Sequence, residues 1–185
     1  MAGYQPIDRL CYRAMADDGN DLVRRLVEAS ELHGDFVLSS GKRSTVYFDK
    51  FRFLTRPDLL RELARTITGL LPPGTDHLAA PEGAATLLVA AVSLETGLPV
   101  AVVRKEPKAY GTMEQVEGYA PAGARTVLLE DVSTTGQQVA AAATVLEAAG
   151  VEVIRIVLAI DRGGADHLRE AGYEVAAVAV LRPAN

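Results

Sequence analysis

From Pro57 onward, short apolar runs alternate with stretches of helical spacing, and this alternation constrains the fold more than any other feature. Leu59 through Leu71 has helical spacing, closed by Pro72-Pro73-Gly74. His77-Leu78-Ala79-Ala80 reads as a short strand, followed by an apolar helix from about Ala84 to Glu95. Pro99–Val103, Thr126–Leu129, Val151–Ile160 and Val175–Leu181 read as further strands, with helices over Gly136–Ala149 and Ala165–Ala171. Apolar strands separated by helices of this length predict an α/β fold, with a mainly parallel sheet flanked by helices on both faces. Upstream, a helix begins at Asp21, with Leu22, Leu26 and Ala29 on one side and Gly34 as its end. An extended segment from Phe36, a turn over residues 39–44 and a strand at Thr45–Phe48 then predict a hairpin-like antiparallel element.

A chain of 185 residues has room for one domain with one core. Its net charge of −5 argues against nucleic acid or a membrane surface as the main partner. The longest apolar stretch, Ala84 to Leu94, falls short of the ~20 residues that cross a bilayer. The single cysteine, Cys11, allows no internal disulfide and fits a reducing cytoplasm. His33, beside Gly34, reads as a helix C-terminal residue, while His77 and His167 have no metal-ligand spacing. Phe51 and Phe53 read as core.

In folds of this kind ligands bind beyond the carboxyl ends of the strands, so the loops leaving strands carry the functional weight. One runs Leu129-Glu130-Asp131-Val132-Ser133-Thr134-Thr135-Gly136-Gln137-Gln138. Here a buried strand ends in two adjacent carboxylates, and small hydroxyl residues lead through Gly136 into a helix. Backbone N–H groups and the dipole at a helix N-terminus favour a phosphate, and the hydroxyls add donors. The carboxylates would repel that phosphate and suit ribose hydroxyls or Mg²⁺ instead. A helix cap with exposed acids is the plainer alternative, but it leaves the acid pair unexplained. The spacings of the ATP-type loop and of the dinucleotide fingerprint are absent. A second loop, Arg104-Lys105-Glu106-Pro107-Lys108-Ala109-Tyr110-Gly111-Thr112, runs on to about Gly123 with three cations in five residues. It reads either as an arm that closes over an anion or as a solvated loop.

Together these blocks resemble a known family. The Glu130–Gly136 segment is similar to the phosphoribosyl pyrophosphate (PRPP) motif of type I phosphoribosyltransferases. The Arg104–Thr112 arm with Val116-Glu117-Gly118 resembles the catalytic loop of the orotate phosphoribosyltransferases in particular. So do Phe36–Ser44 with Tyr47-Phe48-Asp49, and Ile160-Asp161-Arg162. The resemblance implies a small N-terminal helix and hood over about residues 1–55, and a PRPP-binding core over about 56–185. It implies transfer of the phosphoribosyl group from PRPP to orotate, with Mg²⁺ held mainly through PRPP and no direct protein ligand. It also implies a cytoplasmic homodimer in which the arm reaches the neighbouring site.

Residue by residue, the resemblance gives Arg104, Lys105 and Lys108 to the pyrophosphate and to catalysis. Glu130 and Asp131 fall to the ribose hydroxyls, Asp131 also to catalysis. Ser133, Thr134, Thr135, Gly136, Gln137 and Gln138 fall to the phosphate, with Tyr110 beside PRPP. Arg162 falls to the orotate carboxylate, and Lys42, Tyr47, Phe48 and Thr134 to the base pocket. Two positions depart from the family pattern. Tyr110 stands where many members have histidine, so a cationic general acid is missing there. Ala84-Ala85 stand near an expected glycine pair, so their Cβ atoms are expected to crowd pyrophosphate. A related enzyme using another base, and a PRPP-sensing regulator without turnover, are the alternatives.

Overall fold

The computed structural model describes residues 13–14, 21–37, 41, 43–107 and 114–182. Its chain order begins with β1 (Arg13–Ala14), α1 (Asp21–Ser30), β2 (Glu31–Val37), β3 (Arg43–Phe48), α2 (Phe51–Leu54) and α3 (Pro57–Thr68). There follow β4 (His77–Pro81), α4 (Ala85–Thr96), β5 (Val100–Val103), β6 (Val116–Gly118), β7 (Arg125–Ser133), α5 (Gln137–Ala148), β8 (Glu152–Asp161), α6 (Gly164–Glu170) and β9 (Val175–Arg182). The main sheet has the order β1-β9-β8-β7-β4-β5-β6. Its five central strands are parallel, and the edge strands β1 and β6 run antiparallel to their neighbours. The α/β expectation is met.

Successive strand residues point to opposite faces, so each central strand feeds two cores. Leu78, Ala80, Val127, Leu129, Val157 and Ala159 pack with α1, α2, α3 and α4. Ala79, Leu128, Ile156 and Leu158 pack with α5 and α6 on the other side. The connection through α5 carries the chain from β7 to β8, and that through α4 from β4 to β5, in opposite directions along the sheet. The strand order therefore reverses between β4 and β7. A crevice forms at such a reversal, beyond the carboxyl ends of the strands.

The hood is the β2–β3 hairpin, whose pairing skips a residue between His33 and Phe36. The first helix ends at Ser30, four residues before Gly34. The Ser30 hydroxyl bonds back to Leu26 O at 2.6 Å, and the Ser30 carbonyl accepts from Asp49 N at 2.9 Å. His33 is consequently a strand residue paired with Val46, its Nε2 lying 3.0 Å from Glu31 Oε1. Leu22, Leu26, Phe53 and Leu54 sink into the core and fix the hood to the sheet. Phe53 meets its core expectation, whereas Phe51 is 50% exposed. His77 is buried between Thr126 and the carbonyl of Tyr119. Among the described residues no helix is long and apolar enough to cross a membrane.

Candidate active site

The crevice between β4 and β7 collects the loops that the sequence singled out. β7 runs through Glu130 and Asp131 to Ser133, so both acids lie within the strand rather than after it. Asp131 is fully buried and turns toward the hood, where Lys50 Nζ donates to its Oδ1 at 2.8 Å. Val132 N donates to the same oxygen at 2.5 Å. Oδ2 has no partner among the described residues. Glu130, on the opposite pleat, accepts from Asp131 N at 3.1 Å. Burial, and secondly the neighbouring Asp131 charge, push its carboxyl up to about 7.

Beyond Ser133 the loop turns at Gly136, whose φ of +77° suits only a residue free of Cβ strain. A Cβ there would lie 2.7 Å from the Gly164 carbonyl. In return, a Cβ on Gly164 would lie 2.8 Å from Gly136 N and strike the Ser133 side chain. The loop is thus moulded against the start of α6. Asp161 Oδ1 fixes that start by accepting from Gly163 N at 2.8 Å and Ala165 N at 3.1 Å. Thr134, Thr135, Gln137 and Gln138 stand exposed around the first turn of α5, facing out from this rigid base.

Arg162 is tied to the same loop, its N–H donating to Ser133 O at 2.7 Å. Its guanidinium lies over the Phe48 ring of the hood, 5.3 Å from the centroid. The structure therefore brings Arg162, Phe48 and the Ser133 loop together. It does not bring Tyr47 to them: alternation along β3 puts Tyr47 on the other face, 42% exposed and 5.5 Å from the Phe36 ring.

The arm leaves β5 and returns on β6, a hairpin that the sequence did not disclose. Its root is clamped by backbone contacts. Lys105 N donates to Glu82 Oε1 at 3.0 Å, and Gln115 Nε2 donates to the carbonyls of Arg104 and Lys105 at 2.9 and 3.0 Å. A cleft of about 240 Å³ beside the root is lined by Arg104, Lys105, Gln115, Gln138 and Pro81, among others. It joins the arm to the first turn of α5. Lys42, Lys108 and Tyr110 lie outside the described residues. Ala84, just before α4, and Ala85, its first residue, are 3% and 2% exposed and pack in the core, so their methyl groups do not crowd the crevice. Gly83, with φ +113° and open space where a Cβ would be, supplies the bare backbone there.

Sequence reasoning missed Lys50, Glu82, Gln115 and Gly164. Only Lys50 carried a signal, standing one residue past the Tyr47-Phe48-Asp49 block.

Residues 55–181 match the phosphoribosyl transferase domain. An orotate phosphoribosyltransferase of Nocardioides sp. is 47% identical over 146 residues, covering 78% of this chain and 82% of that protein. Its counterpart in Thermococcus gammatolerans is 41% identical over 165 residues, covering 86% and 87%. The chain belongs to the orotate phosphoribosyltransferase family. The solved orotate phosphoribosyltransferase of Aeropyrum pernix superimposes with a TM-score of 0.74 at 33% identity, covering 86% of this chain and 93% of that one. The β7 loop and the arm root described above lie within the residues that match the phosphoribosyl transferase domain.

Proposed function

We propose that this chain transfers the 5-phosphoribosyl group of PRPP to orotate, giving orotidine 5′-phosphate and pyrophosphate, as a pentosyltransferase of pyrimidine nucleotide synthesis. The observation that carries the base is Arg162 stacked over Phe48 and bonded through its backbone to the Ser133 loop. A planar fork on an aromatic face suits a flat ring bearing a carboxylate, and Arg pairs with carboxylates bidentately. The family membership supports the same substrate. Phe48 and Thr134 line the base side, without Tyr47, and Lys42 keeps the base-binding role that the resemblance gives it.

The reaction displaces pyrophosphate at the anomeric carbon by a ring nitrogen through an oxocarbenium-like state. It asks the protein for position and charge rather than for a nucleophile. Glu130 and Asp131 hold the ribose hydroxyls, and Thr134, Thr135, Gly136, Gln137 and Gln138 cradle the 5′-phosphate. Arg104, Lys105 and Lys108 neutralise the departing pyrophosphate, with Tyr110 a hydrogen-bond donor on the arm. Mg²⁺, bound mainly through PRPP, supplies further neutralisation. The unpartnered Asp131 Oδ2 fits either a ribose hydroxyl or a water on that ion.

The working unit in this proposal is a cytoplasmic homodimer, each chain a single domain with an N-terminal helix and hood over about residues 1–55. Support comes from α4, which is apolar on nearly all sides yet leaves Leu87 and Leu94 40% and 89% exposed.

The deciding test follows loss of orotate absorbance with PRPP and Mg²⁺, against a panel of other bases. Turnover with orotate alone is expected, and turnover with a different base overturns the substrate. Arg162→Ala should raise KM for orotate by about tenfold or more and leave KM for PRPP nearly unchanged, since only one charge-assisted contact is lost. Equal effects on both substrates would remove Arg162 from the carboxylate.

A further inference from the structure

The segment from Phe48 to Leu54 touches three parts of the molecule within seven residues. Phe48 lies under Arg162, Phe53 and Leu54 anchor in the core, and between them Lys50 reaches Asp131 from 81 positions away in sequence. The ion pair is asymmetric. The Lys50 side chain is 38% exposed, whereas that of Asp131 is 0% exposed. Both donors to Asp131, Lys50 Nζ and Val132 N, fall on Oδ1. Oδ2 is buried with no partner among the described residues. A buried acceptor left without a donor is costly, so its retention points to a donor that arrives with the ligand.

Resting on the function proposed above, we infer that Lys50 is a positioning residue for PRPP. It holds Asp131 by Oδ1 so that Oδ2 is offered to a ribose hydroxyl, and in doing so it couples the base-binding hood to the PRPP motif. Lysine suits the task because its ammonium donates only, and so competes with a hydroxyl for neither lone pair of Oδ2. Without it the carboxylate can rotate, and the hydroxyl meets an acceptor that has no fixed direction.

A simple clasp between hood and sheet is the rival account, and it predicts lost stability without selective loss of PRPP. The test measures binding of PRPP with Mg²⁺ by calorimetry, and steady-state kinetics, for wild type, Lys50→Met and Lys50→Arg. Lys50→Met should weaken PRPP by about tenfold or more, the size of one charge-assisted hydrogen bond. Its kcat should stay within about threefold, because the contact is made before the chemical step. Lys50→Arg should recover most of the affinity. The effect of Lys50→Met should also vanish in an Asp131→Asn background, since the two act through one contact.

Wild-type PRPP affinity in a folded Lys50→Met variant overturns the inference, as does an undiminished loss in the Asp131→Asn background. Should Lys50→Met fail to fold, Lys50→Gln, which keeps an uncharged donor, carries the test with the same opposing outcomes. The binding readout separates this inference from the substrate assignment. A wild type that binds PRPP but ignores orotate refutes the substrate and leaves Lys50 fully testable.

Discussion

The Ser133–Gly136 loop and the arm root at Arg104–Lys105 flank neighbouring parts of one crevice, but they are held by different means. The first is moulded by buried contacts: Gly136 against the Gly164 carbonyl, Ser133 O on Arg162 N, and Asp161 bracing the α6 turn behind. The second is held by one backbone bond, Arg104 N to Gln115 O at 2.9 Å, and by two polar side chains, Glu82 and Gln115, while Lys105 stands exposed. As the phosphate cradle of the proposed reaction, the first gains from rigidity, because every backbone N–H must already point at the anion. In the proposed reaction the arm must also let the leaving group depart, and a root held by solvent-exposed polar contacts suits that task.

The largest expected effect comes from breaking the rigid loop. In Gly164→Ala the new methyl would lie 2.8 Å from Gly136 N, and α6 cannot retreat because Ala165 and Leu168 are fully buried. Overpacking of this kind should cost roughly 3 kcal/mol and lower Tm by about 6–10 °C. PRPP affinity should fall along with it. A variant with unchanged melting and unchanged PRPP binding would show that the loop does not depend on its seat against α6.

A second effect, smaller, tests what that rigidity costs. Glu130 is buried beside Asp131 and its carboxyl is pushed up to about 7, from an ordinary value of 4.5, chiefly by burial. Because the folded value lies above the unfolded one, the stability it contributes is fully present below about pH 4.5 and is lost as pH rises through about 7. Glu130→Gln removes the titration. Without PRPP it should melt higher than wild type at about pH 8, with the gap closing toward pH 5. A gap that is constant with pH would mean that Glu130 is not strained by its burial.

The same contrast explains how much was legible in the chain. The β7 loop was readable because local chemistry dictates it: an apolar strand, two acids, three hydroxyls and a glycine opening a helix. Arg162 was readable through its place after β8. The partners that lock these groups were not, since Gly164 looks like any turn glycine, and the place of Lys50 beside the Tyr47-Phe48-Asp49 block does not say what it reaches until the fold brings it to Asp131. The short edge strands were invisible for a related reason. Val116–Gly118 has three residues and pairs with β5 only because the sheet offers it an edge. Likewise Glu31–Gly34 is too polar to announce a strand, and Gly34 imitated a helix stop.

The smallest effect belongs to the arm root, where removing one clamp leaves the other. Glu82→Ala deletes the acceptor for Lys105 N, but Gln115 still holds the carbonyls of Arg104 and Lys105. A fall in kcat of about two- to fivefold is expected with Tm unchanged, as befits one solvent-exposed hydrogen bond. Glu82→Gln keeps an oxygen acceptor in the same place and should stay close to wild type, which separates the hydrogen bond from the charge. Combining Glu82→Ala with Gln115→Ala removes both side-chain clamps from the root, and the loss should exceed the product of the single effects because the two share one segment of backbone. If even the double variant turns over normally, the β5–β6 ladder alone sets the root. The root would then be no less firmly fixed than the Ser133–Gly136 loop.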